Sequence, residues 1–249
     1  MTRRKPAKKF AGFFDRSATN TGVTIKLYWE QERKIQMANV MILGAHGQIA
    51  TLARHQLLKE TDHHLSLFLR NAGRLQDVNP QRETVIDGDV TDTAKLTKAL
   101  AGIDVVYANL GNKGIEDQAK SVVKAMDAAG VSRLIWISTL GIYDEVPGAF
   151  GKWNHQMLDG GYLETYAAAA KVIENSDLKY TIIRPAWLSN KNIVSYELTE
   201  KGEPFKGTEV SRRSIADFVV KLINDPSKHI GASLGIDQPN TQGDKPSFY

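Results

Sequence analysis

The chain has 249 residues, no cysteine and a formal net charge of +4. That length suits one α/β domain with a full core, and the missing cysteine excludes disulfides, a thiol nucleophile and a thiolate zinc site. No apolar run is long enough to span a bilayer, so a cytoplasmic protein with no membrane partner is expected.

Residues 1–36 carry nine Lys or Arg against three acids, which leaves 23 basic and 25 acidic residues in the rest. The remainder is mildly acidic, so the charge gives no case for a nucleic acid partner. The segment 1–36 lacks a hydrophobic period and a secretory core, and a disordered extension is expected there. A second reading makes Met37 the biological start. Glu32-Arg33-Lys34 is compatible with a purine-rich codon run just upstream of that Met, as in a bacterial ribosome-binding site.

The most informative stretch follows at once. Val40 to Leu43 reads as a buried parallel strand. Gly44 and Gly47 come next, and then an amphipathic helix with Ile49, Leu52, Ala53, Leu57 and Leu58 on one face, running to about Glu60. Strand, glycine turn and helix form a cradle for a phosphate. The glycines let the backbone approach the ligand, and the helix start offers free N–H groups and a positive dipole end. Gly44, Ala45, His46, Gly47, Gln48 and Ile49 are the residues expected around that anion. The spacing is Gly-x-x-Gly-x-x-Ala, so a plain β–α turn is the alternative.

Strand two is Leu65–Arg70. An acid ending this strand would hold the 2′-hydroxyl of NAD, whereas Arg accommodates the 2′-phosphate of NADP. Arg70 stands there, Arg74 follows four residues later, and no acid lies between Leu65 and Gln76. NADP(H) is therefore expected over NAD(H), against the alternative of two solvated surface arginines. Strand three and its exit span Thr84–Val90. Asp89 is placed to accept from an adenine amine and Val90 to cover the ring, or Asp89 simply sits in the turn before a helix at 92–101 that Thr91 or Asp92 caps.

Strand four spans Asp104–Gly111, with Asn109 and Gly111 at its ligand end. A helix over 116–129 stops at Gly130. Strand five is Arg133–Ser138. Five strands alternating with four helices imply a doubly wound parallel sheet. The six histidines show no ligand spacing, and no metal site is expected.

Three further stretches, Ser138-Thr-Leu-Gly-Ile-Tyr143, Lys171-Val-Ile-Glu174 and Tyr180-Thr-Ile-Ile-Arg-Pro-Ala-Trp187, join Gly44, Gly47 and Ala50 in a recognisable combination. Over about residues 38–225 the chain resembles the atypical, NmrA-like NAD(P)H-binding branch of the short-chain dehydrogenase/reductase superfamily. The resemblance implies a Rossmann fold. It implies a Ser138 or Thr139 hydroxyl beside the nicotinamide, Lys171 on the ribose, and the turn Pro185-Ala186-Trp187 near the carboxamide.

One position departs from the superfamily pattern. A Tyr-x-x-x-Lys pair shares a helix face, and the ammonium lowers the phenol pKa for proton transfer during hydride transfer. Four residues before Lys171 stands Ala167. Tyr166 lies about 140° and Tyr162 about 180° around the helix from Lys171, so neither matches. Tyr166 reads better as a packing aromatic. Tyr143, in the loop after strand five, is a further candidate.

From Leu188 the chain turns irregular, and residues 188–212 are expected to form a small substrate lobe. A core-spaced helix follows from about Arg213 to Asn224, then a last strand near Leu234–Ile236 and a polar tail over 238–249 that wraps the surface or frays. Phe150, Trp153, Trp187 and Tyr196 serve equally as pocket or core. Two functions fit. One is an NADP-dependent oxidoreductase acting on a small carbonyl, quinone or flavin. The other is a non-catalytic NADP(H)-sensing regulator. A small-molecule substrate is the expected partner, and a homodimer is compatible with all of this.

Overall fold

In the computed structural model, residues 37–111 and 114–249 are described. The expectations placed on 1–36 lie outside them. The first strand, β1 (Asn39–Leu43), is an interior strand, third in order, of an eight-stranded sheet. Its side chains alternate. Val40 and Ile42 enter one core with helix α1 (Gln48–Glu60), while Met41 and Leu43 enter the core on the opposite face. Both faces are covered, and this is why the strand reads as an unbroken apolar run.

The chain continues through β2 (His64–Leu69), β3 (Glu83–Asp87), α2 (Thr93–Ala99), β4 (Val105–Ala108), α3 (Ile115–Ala129) and β5 (Arg133–Ile137). Beyond these lie α4 (Gly148–Leu158), α5 (Tyr162–Glu174), β6 (Lys179–Pro185), β7 (Trp187–Ser189), β8 (Glu197–Thr199), β9 (Glu209–Ser211), α6 (Arg212–Asn224) and β10 (Ala232–Asp237). The sheet order is β3-β2-β1-β4-β5-β6-β10-β8, parallel except for β8, which runs antiparallel to β10. Strands β7 and β9 form a separate parallel pair. Helices α2, α3 and α5 cover one face of the sheet, and α1 and α6 cover the other. This is the doubly wound α/β fold that the sequence implies.

Three details differ from the expected pattern. No α-helix joins β2 to β3. A single 3-10 turn at Ala72–Arg74 suffices, because Asn71 in the left-handed region (φ 53°) turns the chain sharply. The strand core of β4 ends at Ala108, so Asn109 and Gly111 belong to its exit loop. The tail is anchored rather than frayed. Thr208 binds the Thr241 carbonyl through both its N–H (3.1 Å) and its hydroxyl (2.6 Å), and the Ser247 N–H donates to Glu209 at 2.7 Å.

Two buried ion pairs tie the sheet to its connections. Arg54 on α1 grips Glu83 at the start of β3 through both carboxylate oxygens, at 2.5 and 2.7 Å. Arg184 on β6 pairs with Glu145, whose carboxylate also accepts the Gly141 and Tyr143 N–H groups at 3.0 Å each. That second pair fixes the loop after β5. Among the described residues, no helix is long and apolar enough to cross a membrane.

Candidate active site

The strand order reverses direction between β1 and β4, and such a switch point opens a crevice at the carboxyl ends of the strands. A cavity of about 280 Å³ lies there. Its floor is the glycine turn. Gly44 is left-handed (φ +74°), and a Cβ on it would lie 2.4 Å from the Asn109 carbonyl oxygen. A Cβ on Gly47 would lie 2.0 Å from the Asn109 amide nitrogen. Gly44 requires glycine for both conformation and close approach, whereas a side chain at Gly47 would have to displace the Asn109 side chain. Gly47 is also the N-cap of α1, with no side-chain cap and no acid in the first helical turn. The helix start is left to an outside anion, as a pyrophosphate cradle needs.

The cavity collects most of the residues expected at the dinucleotide. Gly44, His46 and Gly47 line it from the turn, and Arg70 and Arg74 from the β2 exit. Asp89 and Val90 close it from the β3 exit, Asn109 and Gly111 from the β4 exit. Arg70 is exposed and reaches Asp89 at 3.5 Å. The Asp89 carboxylate accepts the Thr91 N–H at 2.9 Å and the Thr91 hydroxyl at 2.8 Å. These bonds, with Arg70 beside them, hold its pKa below the usual value. Asp89 thus both shapes the turn and faces the cavity, while Asp92 caps α2 by accepting the Lys95 N–H at 3.0 Å. Ala45 and Ile49 instead bury their side chains in the core, and Gln48 is exposed. Ala45 and Ile49 therefore offer an anion only their backbone N–H groups, and Gln48 offers its side-chain amide as well.

A second cavity, of about 310 Å³, opens farther along the same sheet edge, at the ends of β5 and β6. Ser138 and Thr139 line it, as do Pro185, Ala186 and Trp187. Ser138 is buried, and its hydroxyl oxygen has no hydrogen-bond partner. A buried hydroxyl with no protein partner is open to a hydrogen bond from a molecule in the cavity. The Trp187 ring is held by its Nε1–H donating to Asn154 at 2.9 Å.

Two of the expected catalytic residues lie elsewhere. Lys171 is exposed near the end of α5 and lines neither cavity. Tyr143 turns to the far side of its loop, where its hydroxyl donates to Glu174 at 2.6 Å and approaches Ser233 at 3.1 Å. Burial and the Glu174 carboxylate raise its pKa, and it lines neither cavity.

The sequence reading set Tyr162 aside and missed Phe248 and Tyr249. All three line the second cavity. Tyr162 stacks on Tyr166, with ring centroids 4.5 Å apart. Tyr166 is buried, with its hydroxyl against Gly111 at the rim of the first cavity. The signal was present in the spacing. Tyr162-Leu-Glu-Thr-Tyr166 has the same four-residue offset as Tyr-x-x-x-Lys, one turn and more upstream of Lys171. No comparable signal marks the tail.

Residues 44–226 match the model of an NAD(P)H-binding family. A Rossmann-fold NAD(P)-binding family protein of Shigella flexneri is 43% identical, with a TM-score of 0.74 over 86% of this chain and all of that one. A short-chain dehydrogenase/reductase of Veillonella parvula, solved in complex with NADP, is 32% identical, with a TM-score of 0.78 over 85% of this chain and all of that one. Quinone oxidoreductase 2 of Escherichia coli is 26% identical over 161 residues, which are 63% of this chain and 51% of that protein. The chain thus spans about half the length of that relative. With its switch-point cavity, its glycine cradle and these relatives, the chain belongs to the NAD(P)H-binding family of atypical short-chain dehydrogenase/reductase proteins.

Proposed function

We propose that the chain is an NADP(H)-dependent oxidoreductase acting on a small carbonyl, quinone or flavin held in the second cavity. The observation that carries this reading is the unpartnered, buried Ser138 hydroxyl in a cavity next along the sheet edge from the dinucleotide cavity. Bound NADP(H) supplies or takes up the hydride. The α1 start and the glycine turn hold its pyrophosphate, and Arg70 with Arg74 hold the 2′-phosphate. Ser138 and Thr139 orient the acceptor oxygen. Tyr162 offers a phenolic hydroxyl from the same wall. Tyr166 positions that phenol by stacking on it. The NADP complex of the Veillonella parvula relative supports the choice of nucleotide, and the Escherichia coli quinone oxidoreductase supports the acceptor class.

A second reading, a non-catalytic NADP(H) sensor, draws on one observation: Ala167 replaces the superfamily Tyr, and Lys171 lies away from both cavities. Calorimetric titration with NADPH and NADH, followed by an acceptor screen that monitors NADPH oxidation, separates the readings. NADPH is expected to bind more tightly, and Arg70→Ala to lose about ten-fold in NADPH affinity with NADH affinity unchanged, the size of one charge-assisted contact at an exposed site. Equal affinities for the two nucleotides in the wild type would remove the 2′-phosphate assignment. NADPH binding without oxidation by any quinone, flavin or carbonyl would favour the sensor.

A further inference from the structure

Arg212, the first residue of α6, lines the second cavity opposite the Ser138 and Thr139 hydroxyls' strand ends. Its guanidinium donates to neutral groups, the Asn190 side chain at 2.9 Å and the Leu188 carbonyl at 3.4 Å. Among the described residues it has no carboxylate within ion-pair distance, and no acidic side chain lines the cavity. Nearby cations are matched: Lys191 pairs with the buried Glu209 at 2.5 Å, and Arg184 pairs with Glu145. Burial alone acts on Arg212 and lowers its pKa, with no acid to offset it. Arg212 is partly buried, so its guanidinium keeps donors free for an anionic group entering the cavity.

Four aromatic residues line the cavity beside aliphatic ones. Trp187 and Tyr249 meet edge to face at 5.1 Å, Trp153 backs both at 4.7 and 5.1 Å, and Phe248 and Tyr162 complete the wall. Such walls favour planar rings, which gain from offset or edge contacts as well as from area burial.

We propose that this cavity binds a planar aromatic or quinonoid molecule bearing an anionic group, with the ring against Trp187 and Tyr249 and the anion on Arg212. The inference rests on the proposed function for which cavity takes the acceptor, but the binding it describes requires no turnover. Redox-inert probes therefore test it separately. Naphthalene-2-sulfonate and its uncharged sulfonamide are titrated calorimetrically into the full chain, with and without saturating NADP. The sulfonate is expected to bind about ten-fold or more tightly than the sulfonamide, as a hydrogen bond to a charged group predicts. Arg212→Gln is expected to remove most of that preference, and Arg212→Lys to keep part of it. Tyr249→Ala is expected to weaken both probes equally. NADPH affinity, unaffected by Arg212→Gln, reports that the variant is folded.

Equal binding of the two probes, or a preference that survives Arg212→Gln, would overturn the inference even if NADPH oxidation is found with some neutral acceptor. A sulfonate preference that depends on Arg212 supports it even if no acceptor is ever reduced, an outcome that would count against the oxidoreductase reading alone.

Discussion

The two cavities on the sheet edge are built from different materials. The first is made largely of backbone: a left-handed Gly44, a crowded Gly47, an uncapped helix start and three strand exits. The second is made of side chains from five segments that are remote in sequence, around residues 138, 162, 187, 212 and 249. A backbone site tolerates little change at its glycines and much change elsewhere. A side-chain site can alter its ligand one residue at a time while the sheet beneath it stays fixed. The comparison explains how one cofactor cradle serves many substrates, since specificity resides in the part that is free to vary.

Breaking the first cavity should have the largest effect. In Gly44→Ala, a non-glycine residue must adopt φ near +74° with its Cβ in the Asn109 carbonyl oxygen, 2.4 Å away. Left-handed strain alone costs about 1–3 kcal/mol, and the backbone clash adds to it. Calorimetry is expected to find NADPH binding lost and the melting temperature lowered. Binding within two-fold of wild type would mean that the turn relaxes and does not define the site.

A change in the second cavity should act on turnover and spare the first. Tyr162→Phe is expected to lower kcat by about ten- to hundred-fold with NADPH affinity unchanged, the size of a modest general-acid contribution. Lys171→Ala, at an exposed position outside both cavities, is expected to leave kcat unchanged. The reverse pattern would return Lys171 to the role that the superfamily pattern implies and make Tyr162 a packing residue.

The smallest effect concerns a carboxyl outside both sites. Asp237, at the end of β10, is fully buried; burial, with Glu197 nearby, pushes its pKa up to about 7. In the unfolded chain it returns to about 4. Between those values the folded state binds the extra proton, so this group's contribution to stability falls as pH rises from about 4 to about 7 and is level above that. Asp237→Asn should remove the decline. Melting curves are expected to show the variant more stable than wild type at pH 8, by a few degrees at about 2–4 °C per kcal/mol, and nearer to it at pH 5. No change in the difference between these pH values would show that Asp237 keeps an ordinary pKa.

The same contrast explains what the sequence revealed. Val40–Leu43, Gly44, Gly47 and Arg70 lie within 31 residues, and each declares its role through a local rule of periodicity, backbone freedom or charge. Gly130, which closes α3 with φ +71°, is legible for the same reason. The second cavity obeys no local rule. Tyr249 reaches it because Glu209, buried beneath the β7–β9 pair, holds the Ser247 N–H at 2.7 Å. Tyr143 turns away because Glu174, on a helix 31 residues later, accepts its hydroxyl. Lys171 lay where a family motif placed it, but the aromatic pair that faces the cavity begins nine residues earlier, at the first residue of α5. Tertiary partners decide all three, and no spacing within one element predicts them.

The outer strands of the sheet bear on how the protein behaves in crowded solution. Free strand edges invite a second molecule to add a strand. One edge, β8, offers only three residues. The other, β3, turns Glu83 inward onto Arg54 and leaves Thr84, Val85 and Asp87 exposed on a five-residue strand. Its first residue is thus committed to holding the first helix, and its last puts an exposed carboxylate on the edge where another chain would try to align, which opposes growth of the sheet into a filament.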